Sequence, residues 1–270
     1  MQIPTPRKSI VLFLLFTLIV VTASPVAAGA GGPLTIRKPG VYTLTQDIKA
    51  TSGLIGIDIR SSNVVIDGNG HSVTGVGRRE SYGVWAHGSA LSNVTIRDLS
   101  VVSWQYGIAY DTVRNGRIED CLIESSTLYG IRLTRSRENR IIKNTVKKTG
   151  YWALNVQTGS DSNVISENTV NNNPVGIRVQ GSTGNTIYNN FFDNDINAGF
   201  CMPLRSNAWS VSPRSGTNIV GGPSIGGNYW AQPDGRGFSQ VTPDLNGDGF
   251  CDLPYAIISG NTDSKPLSRS

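Results

Sequence analysis

Proton removal beside a carboxylate takes a base, a carboxylate to orient it and a cation to hold the developing charge. His87, Asp111 and Arg132 supply those three types at intervals of 24 and 21 residues. A backbone wound with about that period sets them on three successive coils, the arrangement a polysaccharide lyase or epimerase acting on uronate polymers needs. Any basic repeat surface offers such a trio by chance, so this reading stands beside a non-catalytic one. A second set is local. Asp244-Leu245-Asn246-Gly247-Asp248-Gly249-Phe250-Cys251-Asp252 puts oxygen side chains at positions 1, 3, 5 and 9, glycine at 6 and Phe250 at the backbone-carbonyl position. That matches the front half of a calcium loop. The expected metal residues are therefore Asp244, Asn246, Asp248, Phe250 and Asp252, and the expected cofactor is calcium. Tyr255 stands where the closing bidentate acid belongs, so Asp234 or Asp263 would have to complete the shell. The alternative is a metal-free turn of Asx and Gly residues. With two histidines in the whole chain, a His-based metal cluster is excluded.

Residues a coil apart become neighbours only if the chain repeats, and it does. Gly83, Gly107, Gly130, Gly176 and Gly199 recur every 23 or 24 residues, with Ala153 in the remaining slot. Each of the first five slots lies in one short phrase: Tyr82-Gly83-Val84, Tyr106-Gly107-Ile108, Tyr129-Gly130-Ile131, Trp152-Ala153-Leu154 and Val175-Gly176-Ile177. A second phrase keeps step, from Ile118-x-x-Cys121-x-Ile123 to Ile141-x-x-Asn144-x-Val146, Ile165-x-x-Asn168-x-Val170 and Ile187-x-x-Asn190-x-Phe192. The period is too short for helical-pair repeats, and leucine is too sparse for leucine-rich repeats. Short runs of β-branched residues broken by Asn, Gly, Ser and Asp read as strands and turns. The expectation is an all-β, single-stranded parallel β-helix of about 23 residues per coil, with an irregular C-terminal cap. Period-2 alternation puts Ile131, Leu133, Ile177 and Val179 inside and Arg132 and Arg178 outside. Asn144, Asn168 and Asn190 should stack as an amide ladder, each taking the left-handed corner of its coil.

This winding lines up two outward columns after each glycine: Trp85, Ala109, Arg132, Asn155, Arg178 and then His87, Asp111, Thr134, Gln157, Gln180. Aromatic, cationic and amide groups along a shallow groove suit a sugar polymer. The expected glycan-binding residues are Trp85, Arg132, Asn155, Arg178 and Gln180. Tyr82, Tyr106, Tyr129 and Trp152 form a further aromatic column, which equally serves as a stabilising stack. A polar insert, Gly77-Arg78-Arg79-Glu80, lengthens one coil and belongs on the rim of the groove. Arg114, Arg117, Arg132, Arg135, Arg137, Arg140, Lys143, Lys147 and Lys148 crowd the central coils. Either Glu119, Glu124, Glu138 and Asp161 neutralise them, or an anion does.

Residues 1–28 read as a signal peptide: Arg7 and Lys8, an apolar run from Ile10 to Val21, then small residues. Residues 29–200 form the β-helix with its lead-in strand, and 201–270 the last coil and cap. Export to the cell surface or beyond follows. The chain carries a net +5, and loss of Arg7 and Lys8 leaves 22 basic against 19 acidic residues, a net of +3. A nucleic-acid partner is not expected. Of three cysteines, Cys121 falls in the interior column, which leaves Cys201 and Cys251 as the expected disulfide.

The two repeat phrases resemble the right-handed parallel β-helix proteins grouped with the periplasmic copper-binding NosD family. So does the tail: Gly226-Gly227-Asn228-Tyr229-Trp230, Asp244 to Asp252, Pro254-Tyr255 and Asn261-Thr262-Asp263 are similar to the terminus of exported archaeal members. The resemblance implies a right-handed coil and an association with carbohydrate-binding or sugar-hydrolysing proteins. It also implies copper delivery, for which this chain has poor ligands: Met202 is its one methionine after residue 1. The combined expectation is an exported, non-catalytic β-helix that binds anionic polysaccharide or cell-surface glycan. The rivals are the lyase or epimerase above and a purely structural module whose partners are other surface proteins.

Overall fold

The computed structural model describes residues 23–26 and 33–269; the charged and apolar parts of the expected signal peptide lie outside them. Three parallel sheets of eight strands each wind into one solenoid. Sheet I runs from Ala23–Val26 and Gly40–Leu44 through Val94–Arg97 and Arg117–Glu119 to Thr186–Tyr188. Sheet II runs from Ile48–Lys49 through Leu122–Glu124 to Phe191–Asp193 and Tyr229–Ala231. Sheet III contains Leu34–Ile36, Ile55–Ile59, Tyr82–Ser92, Tyr106–Arg114, Tyr129–Thr134, Trp152–Gln157, Val175–Gln180 and Ile196–Cys201. One four-residue helix, Phe238–Val241, is the only helix among the described residues.

The register is the one the glycine period demands. Ile108, Ile131, Leu154, Ile177 and Ala198 stack in one column of sheet III, and Tyr82, Tyr106, Tyr129, Trp152 and Val175 in another. The inward columns of all three sheets form a single apolar core. The glycines sit where sheet III leaves the corner after sheet II. At Gly107 an added Cβ would lie 2.5 Å from the carbonyl oxygen of Gly130 and 2.5 Å from Ile123 Cγ2. Close approach of coil to coil, rather than a special backbone angle, keeps that slot small.

Each of the three corners holds an internal polar ladder. Asn144 Nδ2 donates to Asn168 Oδ1 at 3.0 Å, Asn168 Nδ2 to Asn190 Oδ1 at 2.8 Å and Asn190 Nδ2 to Asn228 Oδ1 at 2.9 Å. The left-handed residue at this corner is not the asparagine but the one before it: Lys143, Glu167 and Asn189 have φ of 57°, 59° and 54°. The asparagine then turns inward, where its amide satisfies backbone groups the bend has removed from the sheets. A second ladder runs Asn139, Asn163, Asn185, Asn207, and a third Thr149, Asn173, Asn194 and Asn197.

The C-terminal hairpin ends two of these ladders. Asn261 Oδ1 accepts from Asn207 N at 3.1 Å and from Trp209 Nε1 at 2.9 Å. Asp263 Oδ2 accepts from Asn228 N at 2.7 Å and Trp230 Nε1 at 2.8 Å. Two residues apart on one strand, they share a face and plug the top of the stack. Asp263 is therefore committed to the core, not to the loop at 244–252. The basic residues of the central coils are partly neutralised as expected. Arg117 pairs with Glu119, Arg137 with Asp161, and Lys147 and Lys148 with Glu124. Glu138, Arg114 and Arg140 have no ion pair among the described residues.

Candidate functional site

The outer face of sheet III gathers the residues with chemistry, because pleating turns every second side chain of its strands away from the core. Backbone pairing sets Asp58, Trp85, Ala109, Arg132, Asn155 and Arg178 in one outward column. His87, Asp111, Thr134, Gln157, Gln180 and Cys201 form the next. Both columns read from the sequence are thus adjacent and in register.

His87, Asp111 and Arg132 are neighbours on successive coils but are not joined in one hydrogen-bonded chain. His87 Nε2 lies 2.9 Å from Asp58 Oδ1, and Asp58 Oδ2 takes Arg60 Nε–H at 2.8 Å. Asp111 Oδ2 instead accepts from Trp85 Nε1 at 2.7 Å and Arg132 Nη2 at 2.9 Å. Two separate pairs result, Asp58–His87 and Asp111–Arg132, because contacts run diagonally between coils rather than straight up a column. The insert at Gly77–Glu80 stretches this coil, so no regular spacing in the sequence marks the match of Asp58 with Trp85.

The aromatic rings of this face stack on one another. Trp85 stacks on Tyr82, 4.3 Å away, and on His87, 3.5 Å away. Tyr82 also stacks on Tyr106, and Tyr129 on Trp152. Trp85 still lines the groove beside this column. Beside this column the rim insert forms one wall of a groove of about 370 Å³, with Glu80 and Leu54 facing Tyr82 and Tyr106. Burial raises the pKa of the Tyr82 hydroxyl, so it stays a protonated donor on that wall.

Arg178 has unusual surroundings. It is only 8% exposed, and its guanidinium carbon lies 3.9 Å from the centroid of Trp152. Nη1 donates to Asn155 Oδ1 and Gln157 Oε1, each at 3.3 Å, Nη2 donates to Gln180 Oε1, and Nε to Cys201 Sγ at 3.2 Å. Every partner is formally neutral. Arg132, in the same column two coils below, has Asp111 against it and lies 4.4 Å over Tyr106. Its Nε–H finds no acceptor. Asn155 is 1% exposed, and its Oδ1 accepts from Arg178.

The expected disulfide is absent: Cys201 and Cys251 are both free thiols. Cys201 faces outward at the end of sheet III against Arg178, whereas Cys251 is buried in the cap and turned toward Leu267 O at 3.5 Å. Burial lifts the Cys251 thiol to about 11 and Cys121 to about 12. In the loop at 244–252, Asp244 accepts the N–H groups of Gly247, Asp248 and Gly249. Asn246 takes Asp248 N–H, Asp248 takes Phe250 N–H, and Asp252 takes Leu245 N–H. The side chains thus bend the loop as Asx turns. No group of three or more His, Cys, Asp or Glu among the described residues is placed to hold a metal ion.

The model of the periplasmic copper-binding protein (NosD) family matches residues 22–235. The chain belongs to the NosD family. Copper finds no donor set here: His71 lies beside Asp47 and His87 beside Asp58, and Met202 is alone among the described residues. No curated protein matches the chain. Among solved structures, the enzymatically active domain of tailspike protein 2 from bacteriophage CBA120 is similar over 70% of this chain and 39% of its own. That pair has 12% identity and a TM-score of 0.50. The Dettilon tailspike protein is similar over 64% of this chain and 44% of its own, with 17% identity and a TM-score of 0.42. The chain thus spans less than half the length of either, and at such identities the likeness is one of fold. No helix among the described residues is long and apolar enough to cross a membrane.

Proposed function

We propose that this NosD-family β-helix is an exported protein whose sheet III face binds an anionic polysaccharide without transforming it. The observation that carries the reading is Arg178: a guanidinium drawn out of water with only neutral partners. Burying a charge without a counter-charge is costly, and an incoming carboxylate or sulfate offsets that cost. Arg132 stands two coils away in the same column, roughly 10 Å along the axis, so a sugar chain laid across the coils meets cations at a regular step. Gln157, Gln180 and the tyrosine hydroxyls of the rim supply neutral hydrogen-bonding groups between them. The family's periplasmic description supports export.

His87 is bonded to Asp58 and Asp111 to Arg132, and that pairing supports binding over turnover. A glycan array spanning polygalacturonate, sulfated chains and neutral dextrans, read with an absorbance assay for unsaturated uronates, tests the proposal. Binding to acidic chains without new product is expected. Unsaturated product would establish a lyase, and silence on every acidic chain would leave the fold a structural surface module.

A further inference from the structure

The cap carries a cleft unrelated to sheet III. A hollow of about 290 Å³, close to the roughly 300 Å³ at which ligand pockets begin, opens against Phe238 and Tyr255 at the C-terminal end of the coil. A second hollow of about 270 Å³ adjoins it through Gln232 and holds Asp195 and Asp234. Arg236, Phe238 and Tyr255 lie beyond residue 235, where the family match ends.

The polar groups here are free. The carboxylate of Asp195, the side-chain amide of Gln232, the guanidinium of Arg236 and the hydroxyl of Tyr255 make no hydrogen bond or ion pair with other described residues. Asp234 accepts only the backbone N–H of Arg236, at 3.0 Å. Phe238 and Tyr255 stack on each other at 4.6 Å and form an apolar wall. Burial raises the Tyr255 pKa, which keeps its hydroxyl a donor.

The mixture of groups selects the ligand class. Carboxylates accept only, and a guanidinium donates only. An anion would meet Asp195 and Asp234, and a cation would meet Arg236. A neutral polyol, whose hydroxyls both donate and accept, satisfies the two sets together, and its C–H face suits an aromatic wall. We infer that the cap cleft binds an uncharged hexose, at a site separate from the anionic chain on sheet III. The inference does not rest on the reading of sheet III.

Saturation-transfer NMR on the full chain with glucose, galactose, N-acetylglucosamine and glucuronate tests it. At least one neutral sugar should bind, and more tightly than glucuronate. Asp195→Asn and Arg236→Ala, both at exposed positions, should each weaken that binding about fivefold, the worth of one hydrogen bond. Arg178→Ala should leave it unchanged. The inference is overturned if no neutral sugar binds, if glucuronate binds as tightly, or if both cap variants bind like the wild type. Loss of neutral-sugar binding in Arg178→Ala would also overturn it, since the site would then be part of sheet III.

Discussion

Asn168→Ala tests whether the corner ladders hold the coils together. The side chain is fully buried and makes five hydrogen bonds. Oδ1 accepts from Asn144 N and Nδ2, both at 3.0 Å, while Nδ2 reaches Ile141 O, Ser166 O and Asn190 Oδ1. Truncation does not harm these partners equally. Asn144 Nδ2 keeps two carbonyl acceptors, Ile118 O and Ile142 O, and Asn190 Oδ1 keeps the Asn168 N–H. The Asn144 N–H has no other acceptor and is left in a dry interior. An orphaned buried donor costs about 1–3 kcal/mol; the weakened carbonyls and the space vacated bring the loss to about 3–5 kcal/mol. For a domain of this size that lowers Tm by roughly 6–20 °C. Thr169→Ala, which changes the outward-facing neighbour, should stay within about 0.5 kcal/mol. Thermal unfolding followed by circular dichroism compares the two. An Asn168→Ala protein within about 1 kcal/mol of wild type would refute the ladder as a source of stability.

Asp263 makes stability depend on pH. Burial raises its folded pKa from 3.8 to about 6, so the native state prefers the neutral acid, and stability rises as pH falls through 6 toward 4. The full effect is about 3 kcal/mol, and a pH series in which Asp263→Asn shows the same slope as wild type would contradict it. A thiol titration should find Cys201 reactive in the folded protein, with Cys121 and Cys251 reacting only after unfolding; reductant should not change Tm. Calcium decides between the two readings of 244–252. A metal-free Asx turn predicts the same Tm in millimolar calcium as in chelator, and a calcium-dependent rise that Asp248→Ala abolishes would establish the metal site.

The coil period, the register of sheet III and the inward and outward columns were legible because they depend on one local rule, repeated at fixed spacing. A glycine at Gly107 or Gly130 marks a place where coils touch, and that contact recurs each turn. The diagonal pairs were not legible. Whether His87 reaches Asp58 or Asp111 depends on side-chain length and on a coil stretched by an insert, neither of which appears in a spacing. The burial of Asn155 was not legible for a similar reason: an outward position is not an exposed one once a neighbour such as Arg178 packs against it. Asn139, Asn163, Asn185 and Asn207 had a readable signal, at steps of 24, 22 and 22 residues, overshadowed by the ladder at Asn144. The two ladder plugs, Asn261 and Asp263, arrive from a hairpin far along the chain, and no local pattern announces them.

The central claim is that Arg178 awaits an anion. Affinity electrophoresis of wild type, Arg178→Lys and Arg178→Ala in polygalacturonate gels, at low and at physiological salt, addresses it most directly. Loss of a charge-assisted contact is worth about 1.5–3 kcal/mol, so Arg178→Ala should bind roughly 10- to 100-fold more weakly. Arg178→Lys should fall between, and added salt should weaken the wild type. A folded Arg178→Ala protein retarded as strongly as wild type would contradict the account.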